Sequence, residues 1–499
     1  MEVEERCTVD GEVLKPLDEA QVEAACTAML KEGIEAVAVC FLHAYANPEH
    51  ERRAAEIARR MMPDAHVCAS HEILPEYREF ERFSTTALNA YVAPRTGAYL
   101  NRLADQLTAS GLKTPVRVMA SNGGTWPAAR MAERPANALL SGPAGGVIAA
   151  TALSQELGIK DIITYDMGGT STDACMIRDG QYGMNPEGMV GWYPNRVPQI
   201  DINTVGAGGG SIAYLEAGDF LNVGPRSAGA EPGPACYGKG GTEPTVTDAN
   251  VVLGRFQPTD ALGGAIHIDQ AAARTAVMSV ADQLGLSAEA MAEGIIRLAV
   301  IRMTASVKEI SVMRGIDPRD FALVAFGGAG PMHGAFLAEE LGMTRVVIPP
   351  LPGNFSAFGL LVADTRHDVA RTEILSLENT NLDEVRGALA PLVKEARARL
   401  AADGFDGDTA RIETSLDMRY VGQAFELNIP LPEDATGIDE LLEAFHQTYE
   451  ERYSHRDRGL AEVVAFRVAG FGAVDQPPLP SVDGGGDLTS ARRGIRAVV

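Results

Sequence analysis

Asp166 and Asp173 flank the run Met167-Gly-Gly-Thr-Ser-Thr172, which sets two adjacent glycines and three consecutive hydroxyls between two carboxylates. Apolar residues precede and follow it, Ile163-Thr-Tyr165 on one side and Ala174-Cys-Met-Ile177 on the other, so the pattern predicts two strands joined by a polar tip. Gly168 and Gly169 let backbone N–H groups converge on an anion. Thr170, Ser171 and Thr172 can add hydroxyl donors. Asp166 and Asp173 would repel a bare phosphate, so the reading requires Mg²⁺ as metal, held by these two carboxylates against the phosphates. The competing reading is an ordinary hairpin with a Gly-Gly turn, which needs no Asp on either side.

Three further segments could face a ligand. Gly327, Gly328 and Gly330 lie in Gly327-Gly-Ala-Gly-Pro-Met-His333, between an apolar strand and a helix, where the backbone can approach closely and a helix N-terminus favours negative charge or a polar base. A tight turn and a structural His333 explain the same residues equally well. Gly208 and Gly209, in Val205-Gly-Ala-Gly-Gly-Gly-Ser211, belong either to a flexible connector or to a further phosphate- or substrate-facing loop. Asn122, in Ser121-Asn-Gly-Gly124, and Asp248, beside a turn in Pro244 to Asn250, suit a cleft at a strand end or plain capping. Glu72, Glu76, Arg78, Glu79, Glu81 and Arg82 read as a solvated helix face.

The elements that must position these groups alternate. Asp18 to Gly33 reads as a capped helix, Glu35 to Leu42 as a buried strand, Asn47-Pro48 as the start of a second helix and His66 to Ala69 as a strand. A helix from Phe83 to Leu107, a strand at Val116 to Ala120, an Ala-rich helix ending near Gly158 and the strand Asp161 to Tyr165 follow. A glycine-rich β region spans Gly180 to Gly264, then helices 269–284 and 288–313, and the strand Phe321 to Phe326. The last unit, from Leu375, carries a helix over 383–403, strands at 411–420, 425–429 and 462–468, a helix over 438–453 and a loosely held Pro- and Gly-rich tail from Pro477. Helices and strands in turn mean an α/β protein.

Composition narrows the function. The 499 residues are 46% hydrophobic, enough for two or three cores, and 43 Lys and Arg against 67 Asp and Glu leave a net charge of −24. A general nucleic-acid role is excluded, because that field repels phosphate backbones, and any bound phosphate must be held locally. No apolar run reaches membrane-spanning length, and the acidic start is unlike a signal peptide, so a cytoplasmic protein without membrane association is expected. Six cysteines without CxxC spacing read as reduced, mostly structural thiols.

The ordered motifs Ser121 to Gly124, Ser141-Gly-Pro-Ala-Gly-Gly146, Tyr165 to Asp173, Thr245 to Asn250, Ala325 to His333 and Asp417-Met-Arg-Tyr-Val-Gly-Gln423 resemble the hydantoinase A/5-oxoprolinase family. That family includes N-methylhydantoinases and subunits of acetone and acetophenone carboxylases. The resemblance implies an actin/hexokinase/Hsp70-like ATPase fold and ATP-dependent hydrolysis of a cyclic amide, of hydantoin or 5-oxoproline type, through phosphorylation of the amide oxygen. The alternatives are the ATP-using subunit of a ketone carboxylase, or a truncated non-catalytic scaffold. It also implies that Asp166 and Asp173 manage Mg²⁺ or the attacking group. Gly168, Gly169, Thr170 and Thr172 would grip ATP phosphates, Gly327, Gly328 and Gly330 would approach the adenosine, and a hydantoinase B-type subunit would be the partner. Expected domains are 1–130, the remainder of an N-terminal α/β domain; 131–374, the core with the phosphate hairpin; and 375–499, a C-terminal α/β segment. Relatives begin with another strand-Asp-x-Gly-Gly-Thr hairpin and continue into a further β-rich segment, so the chain is expected to be truncated at both ends.

Overall fold

The computed structural model describes residues 1–185, 187–256, 261–262, 264, 266–457 and 459–477, with isolated positions 487, 489, 492 and 498. The expected loose tail after Pro477 lies, those positions apart, outside the described residues. The chain is α/β and divides into two compact units. One comprises Met1–Ser141, Met184–Ile200 and Ala363–Asp475; the other comprises Gly142–Gly183 and Asp201–Val362 and resumes at Gln476. Among the described residues no helix is long and apolar enough to cross a membrane.

In the first unit, helices Glu19–Lys31 and Glu49–Met61 pack with the parallel strands Ala36–Val39 and His66–Ala69 around Val22, Ile57 and Val67. Asp18 caps the first helix as expected, its carboxylate accepting from the N–H of Gln21 at 3.1 Å. A six-stranded sheet runs in the order Leu427–Pro430, Ala410–Tyr420, Ala461–Gly472, Thr365–Ser376, Thr125–Pro127, Arg117–Met119. Helices Leu382–Ala402 and Ile438–Tyr453 bury Leu389, Leu392, Leu441 and Phe445 in the core they share with it. The strand Thr365–Ser376 was not expected. It pairs over most of its length with Ala461–Gly472 although it carries Arg366, His367, Asp368 and Arg371.

The solvated face expected from Glu72 to Arg82 needs correction. Arg82 is wholly buried, donating to the Phe41 carbonyl at 3.0 Å and to Ser70 Oγ at 3.2 Å, and Glu76 is a buried bidentate partner of Arg467 at 2.8 and 3.0 Å. Buried charges survive only when paired in this way.

The second unit is built on a sheet ordered Ile202–Val205, Thr172–Arg178, Ile162–Met167, Ala322–Phe326, Val346–Val347. Strand alternation sends Ile163, Tyr165, Leu323 and Ala325 to one face, against Ile295, Ala299 and Met303 of the helix Ala288–Ile310 and Leu337 of the helix Gly330–Leu341. On the other face, Phe326 meets Phe355 at 5.0 Å between ring centroids and lies over Gly146. Ser141 to Gly146 therefore serves packing: the helix Gly142–Leu157 starts within it, and Gly145 and Gly146 admit Gly359 of the helix Phe355–Val362 and the Phe326 ring.

A Cβ at Gly359 would overlap the Gly145 carbonyl, whereas one at Gly142 meets nothing within 4 Å. Gly359→Ala is expected to destabilise the second unit by about 2–3 kcal/mol or more in denaturant unfolding, and Gly142→Ala by less than about 0.5 kcal/mol. Equal effects would show that helix contact does not set the glycine requirement.

Candidate active site

The hairpin read from the sequence is present. Ile162–Met167 pairs antiparallel with Thr172–Arg178, and Asp166 stands directly opposite Asp173. Thr204 pairs with Asp173 on the next strand and Phe326 with Asp166 on the far side, so Thr204, Asp173, Asp166 and Phe326 form one row across four strands. Residues in such a row share a face of the sheet. This row lies near the carboxyl ends of the parallel strands Ile162–Met167 and Ala322–Phe326, where open α/β sheets present ligands to loops.

Two glycine loops close on the tip. Gly209 N–H donates to the Gly168 carbonyl at 3.0 Å and Gly210 N–H to the Gly169 carbonyl at 2.6 Å. A Cβ at Gly208 would lie 2.7 Å from the backbone of Gly169 and Thr170. The segment Val205 to Ser211 is thus docked on the hairpin rather than a loose connector. Gly327 has φ +85°, and a Cβ there would collide with Asp166 Oδ1 and the Met167 carbonyl. Gly330 packs close to Tyr165, while Gly169 and Gly328 face open space. The helix begins at Gly330, so only Gly327 to Ala329 form the loop, and His333 lies within the helix.

Side chains at the tip divide by direction. Thr170 is exposed and Ser171 half-buried, whereas Thr172 is fully buried and donates to the Ala207 carbonyl at 2.5 Å. Gly168 N–H donates to the Ser171 carbonyl at 3.0 Å; among the described residues no acceptor takes the N–H of Gly169 or Thr170. Asp173 Oδ1 accepts from Thr204 Oγ1 at 2.5 Å, and Asp166 Oδ2 accepts from Ser356 Oγ at 3.0 Å. Ser356 was missed in the sequence, where it sits 190 residues away in an apolar stretch with only Asn354 beside it. Burial pushes the Asp173 carboxyl up to about 6, with Thr204 opposing and the charge of Asp166 reinforcing the rise. Asp166 is raised too, by burial, against the Ser356 hydrogen bond.

Of the remaining candidates, His333 is 1% exposed, its Nδ1 3.0 Å from the Ala329 carbonyl and its Nε2 3.2 Å from Asn250 Nδ2. Burial lowers it to about 4, so it is a neutral imidazole at neutral pH, donating from Nδ1 and accepting at Nε2. It tethers the glycine loop. Asp248 is fully buried and accepts from the N–H groups of Ala235, Cys236 and Thr245 and from Thr245 Oγ1, closing the capping box of the helix Val246–Val252. Asn122 belongs to the first unit, where it accepts from Gly124 N–H at 2.9 Å and donates to Asp368 at 2.6 Å. The structure brings together Asp166, Asp173, the tip 168–172, Gly208, Gly209, Gly327 and Ser356.

Family models for the hydantoinase/oxoprolinase N-terminal region, hydantoinase/oxoprolinase and the hydantoinase/oxoprolinase C-terminal domain match residues 1–62, 82–369 and 376–498. The chain belongs to the hydantoinase/oxoprolinase family. It is 40% identical to caprolactamase subunit alpha of Pseudomonas jessenii over 486 residues, covering 96% of this chain and 70% of that one. The crystal structure of the ATP-dependent caprolactamase from Pseudomonas jessenii superposes with a TM-score of 0.86 at 39% identity, over 96% of this chain and 71% of that one. Nucleotide-free acetone carboxylase gives 0.75 at 29% identity, over 96% and 70%. A 5-oxoprolinase 1 of Arabidopsis thaliana is 34% identical over 93% of this chain, which spans 38% of that protein. This family membership fits the motifs read from the sequence.

A carboxyl whose folded pKa of about 6 exceeds the unfolded value near 3.9 is penalised when ionised, so its contribution to stability falls as pH rises between those values. Asp173→Asn keeps an acceptor for Thr204 and removes the penalty. The variant is expected to melt about 2–4 °C above the parent near pH 7.5, a gain on the order of 1 kcal/mol, and to lose that advantage near pH 4. A pH-independent difference in calorimetry would refute the assignment.

Proposed function

We propose that this chain carries out ATP-dependent hydrolysis of a cyclic amide of hydantoin, 5-oxoproline or lactam type, through phosphorylation of the amide oxygen. The observation that carries the reading is the pair of half-buried carboxylates, Asp166 and Asp173, walled by glycine loops whose backbones crowd the hairpin tip. Kinship supports it, because similarity to the ATP-dependent caprolactamase exceeds that to acetone carboxylase, with TM-scores of 0.86 and 0.75.

These residues fit a magnesium nucleotide. Asp166 and Asp173 offer oxygen donors only, as a hard cation requires, and each accepts one hydroxyl hydrogen bond that orients it. Partial burial raises both carboxyls, and the charge of Asp166 adds to the rise at Asp173; a divalent cation would relieve both costs. The uncommitted N–H groups of Gly169 and Thr170, with the Thr170 and Ser171 hydroxyls, would hold phosphate oxygens. Thr172 would act from beneath by fixing Ala207, and Gly327 and Gly328 would let a ligand approach the loop backbone. ATP with Mg²⁺ would supply a phosphoryl group that turns a poor amide leaving oxygen into a good one. The reading carries with it an actin/hexokinase/Hsp70-type ATPase fold and a hydantoinase B-type partner, the latter in keeping with a relative named as a subunit.

A second reading, the ATP-using subunit of a ketone carboxylase, draws on the likeness to acetone carboxylase. Turnover separates them. Cyclic amides are expected to stimulate ATP hydrolysis by the chain together with its hydantoinase B-type subunit, and Asp166→Ala to lower that rate by about 10²–10³-fold with little loss of thermal stability. Stimulation by ketone and bicarbonate instead would move the assignment to carboxylation. Absence of ATP binding and hydrolysis under all these conditions would leave a non-catalytic scaffold.

A further inference from the structure

Outside the Asp166 site, Glu5, Cys7 and His50 converge in the first unit, their ligand-type atoms all within 4.8 Å of one another. Arg6–Cys7 pairs antiparallel with Val13–Lys15 across a turn closed by Thr8 N–H to the Glu12 carbonyl at 2.8 Å. His50 sits in the first turn of the helix Glu49–Met61, and Asn47 Nδ2, just before it, donates to the Gly11 carbonyl at 2.8 Å. The hairpin and the helix start are thereby held together from both sides. Cys7 is 2% exposed and His50 9%.

The contacts are unusual for a proton network. His50 Nδ1 lies 2.8 Å from Glu5 Oε2 and 3.6 Å from Cys7 Sγ, so thiol and carboxylate address the same ring nitrogen. As a donor that nitrogen serves the carboxylate well and the sulfur only as a weak acceptor; as an acceptor it takes the thiol and loses the carboxylate. A nucleophile relay is excluded too, because it would place the carboxylate on the nitrogen opposite the thiol. A shared cation satisfies all three groups at once. With Zn–N near 2.0 Å and Zn–S near 2.3 Å, tetrahedral ligands stand about 3.3–3.6 Å apart, so the His50–Cys7 separation already matches and the His50–Glu5 separation needs to open by roughly half an ångström. Thiolate, imidazole and carboxylate together select zinc-class ions over Mg²⁺, in contrast with the all-oxygen pair at Asp166 and Asp173.

We propose that Glu5, Cys7 and His50 are a binding site for a zinc-class divalent cation, with three protein ligands and a fourth position open to water. The charges balance, since a thiolate and a carboxylate neutralise a divalent ion and spare the fold an uncompensated buried charge.

The test uses the full chain, stripped of metal with a chelator and titrated with Co²⁺ as a spectroscopic substitute. Expected are one equivalent bound per chain, a thiolate-to-cobalt charge-transfer absorption, and its loss on adding Zn²⁺. Cys7→Ser should abolish the band, whereas Cys26→Ala, removing another buried thiol of the same unit, should keep it. His50→Gln should weaken Co²⁺ by more than the ~10–100-fold that loss of an outer-shell partner causes. No band at stoichiometric Co²⁺, or a band that survives Cys7→Ser, overturns the proposal. If Cys7→Ser fails to fold, Glu5→Gln decides: a clear loss of Co²⁺ affinity supports the site and unchanged affinity refutes it.

Discussion

Beside Asp166 there is no room for a side chain on residue 327, and beside the backbone of Gly169 and Thr170 there is none on residue 208. That steric constraint organises the second unit. Because both positions are glycine, two loops from distant parts of the chain approach the hairpin tip to hydrogen-bonding distance and bond to it through Gly209, Gly210 and Ala329. The Gly327 loop lies directly against Asp166, and partial burial raises the carboxyls of both Asp166 and Asp173. Packing and chemistry are one arrangement here: a looser Gly327 loop would leave Asp166 more solvated.

Much of this was legible in the chain. The hairpin could be read because two apolar alternations flank a tip whose residue types serve little structural purpose in that order. Helix starts at Asp18 and Asp269 could be read because a short acid before an apolar-periodic run has one common local role, and both accept N-terminal amides. The strand Thr365–Ser376 could not, because its buried positions include His367, held by Asp403 at 2.8 Å, and its half-buried ones include Arg366, which donates to the Asn122 carbonyl at 3.3 Å. Pairing across the fold makes such residues acceptable in a sheet, and pairing is invisible to local pattern. Arg82 and Glu76 escaped for the same reason.

The candidate site was legible in outline and ambiguous in detail, since capping and ligand binding draw on the same residue types. Asp248 and Asn122 have donors and acceptors already supplied by the protein, and His333 is a tether between Ala329 and Asn250. Nothing in their immediate neighbours distinguishes that from a cleft-facing role. Ser356 is the converse case. Its importance comes from one hydrogen bond to Asp166, made because Gly359 lets its helix lie against Gly145. A packing glycine thus acts at one remove on the electrostatics of the carboxylate row.

The charge of the whole chain sharpens the role of that row. At a net charge of −24, attraction of a polyphosphate cannot come from the general field, and the tip itself adds two acids to the repulsion. What remains is local: backbone N–H groups that have no acceptor among the described residues, and carboxylate oxygens held by hydroxyl donors. Such a site binds anion and cation together far better than either alone, because each removes the field that opposes the other. On the proposed reading, coupled binding of this kind would let Asp166 and Asp173 help to hold a phosphate that each by itself would repel.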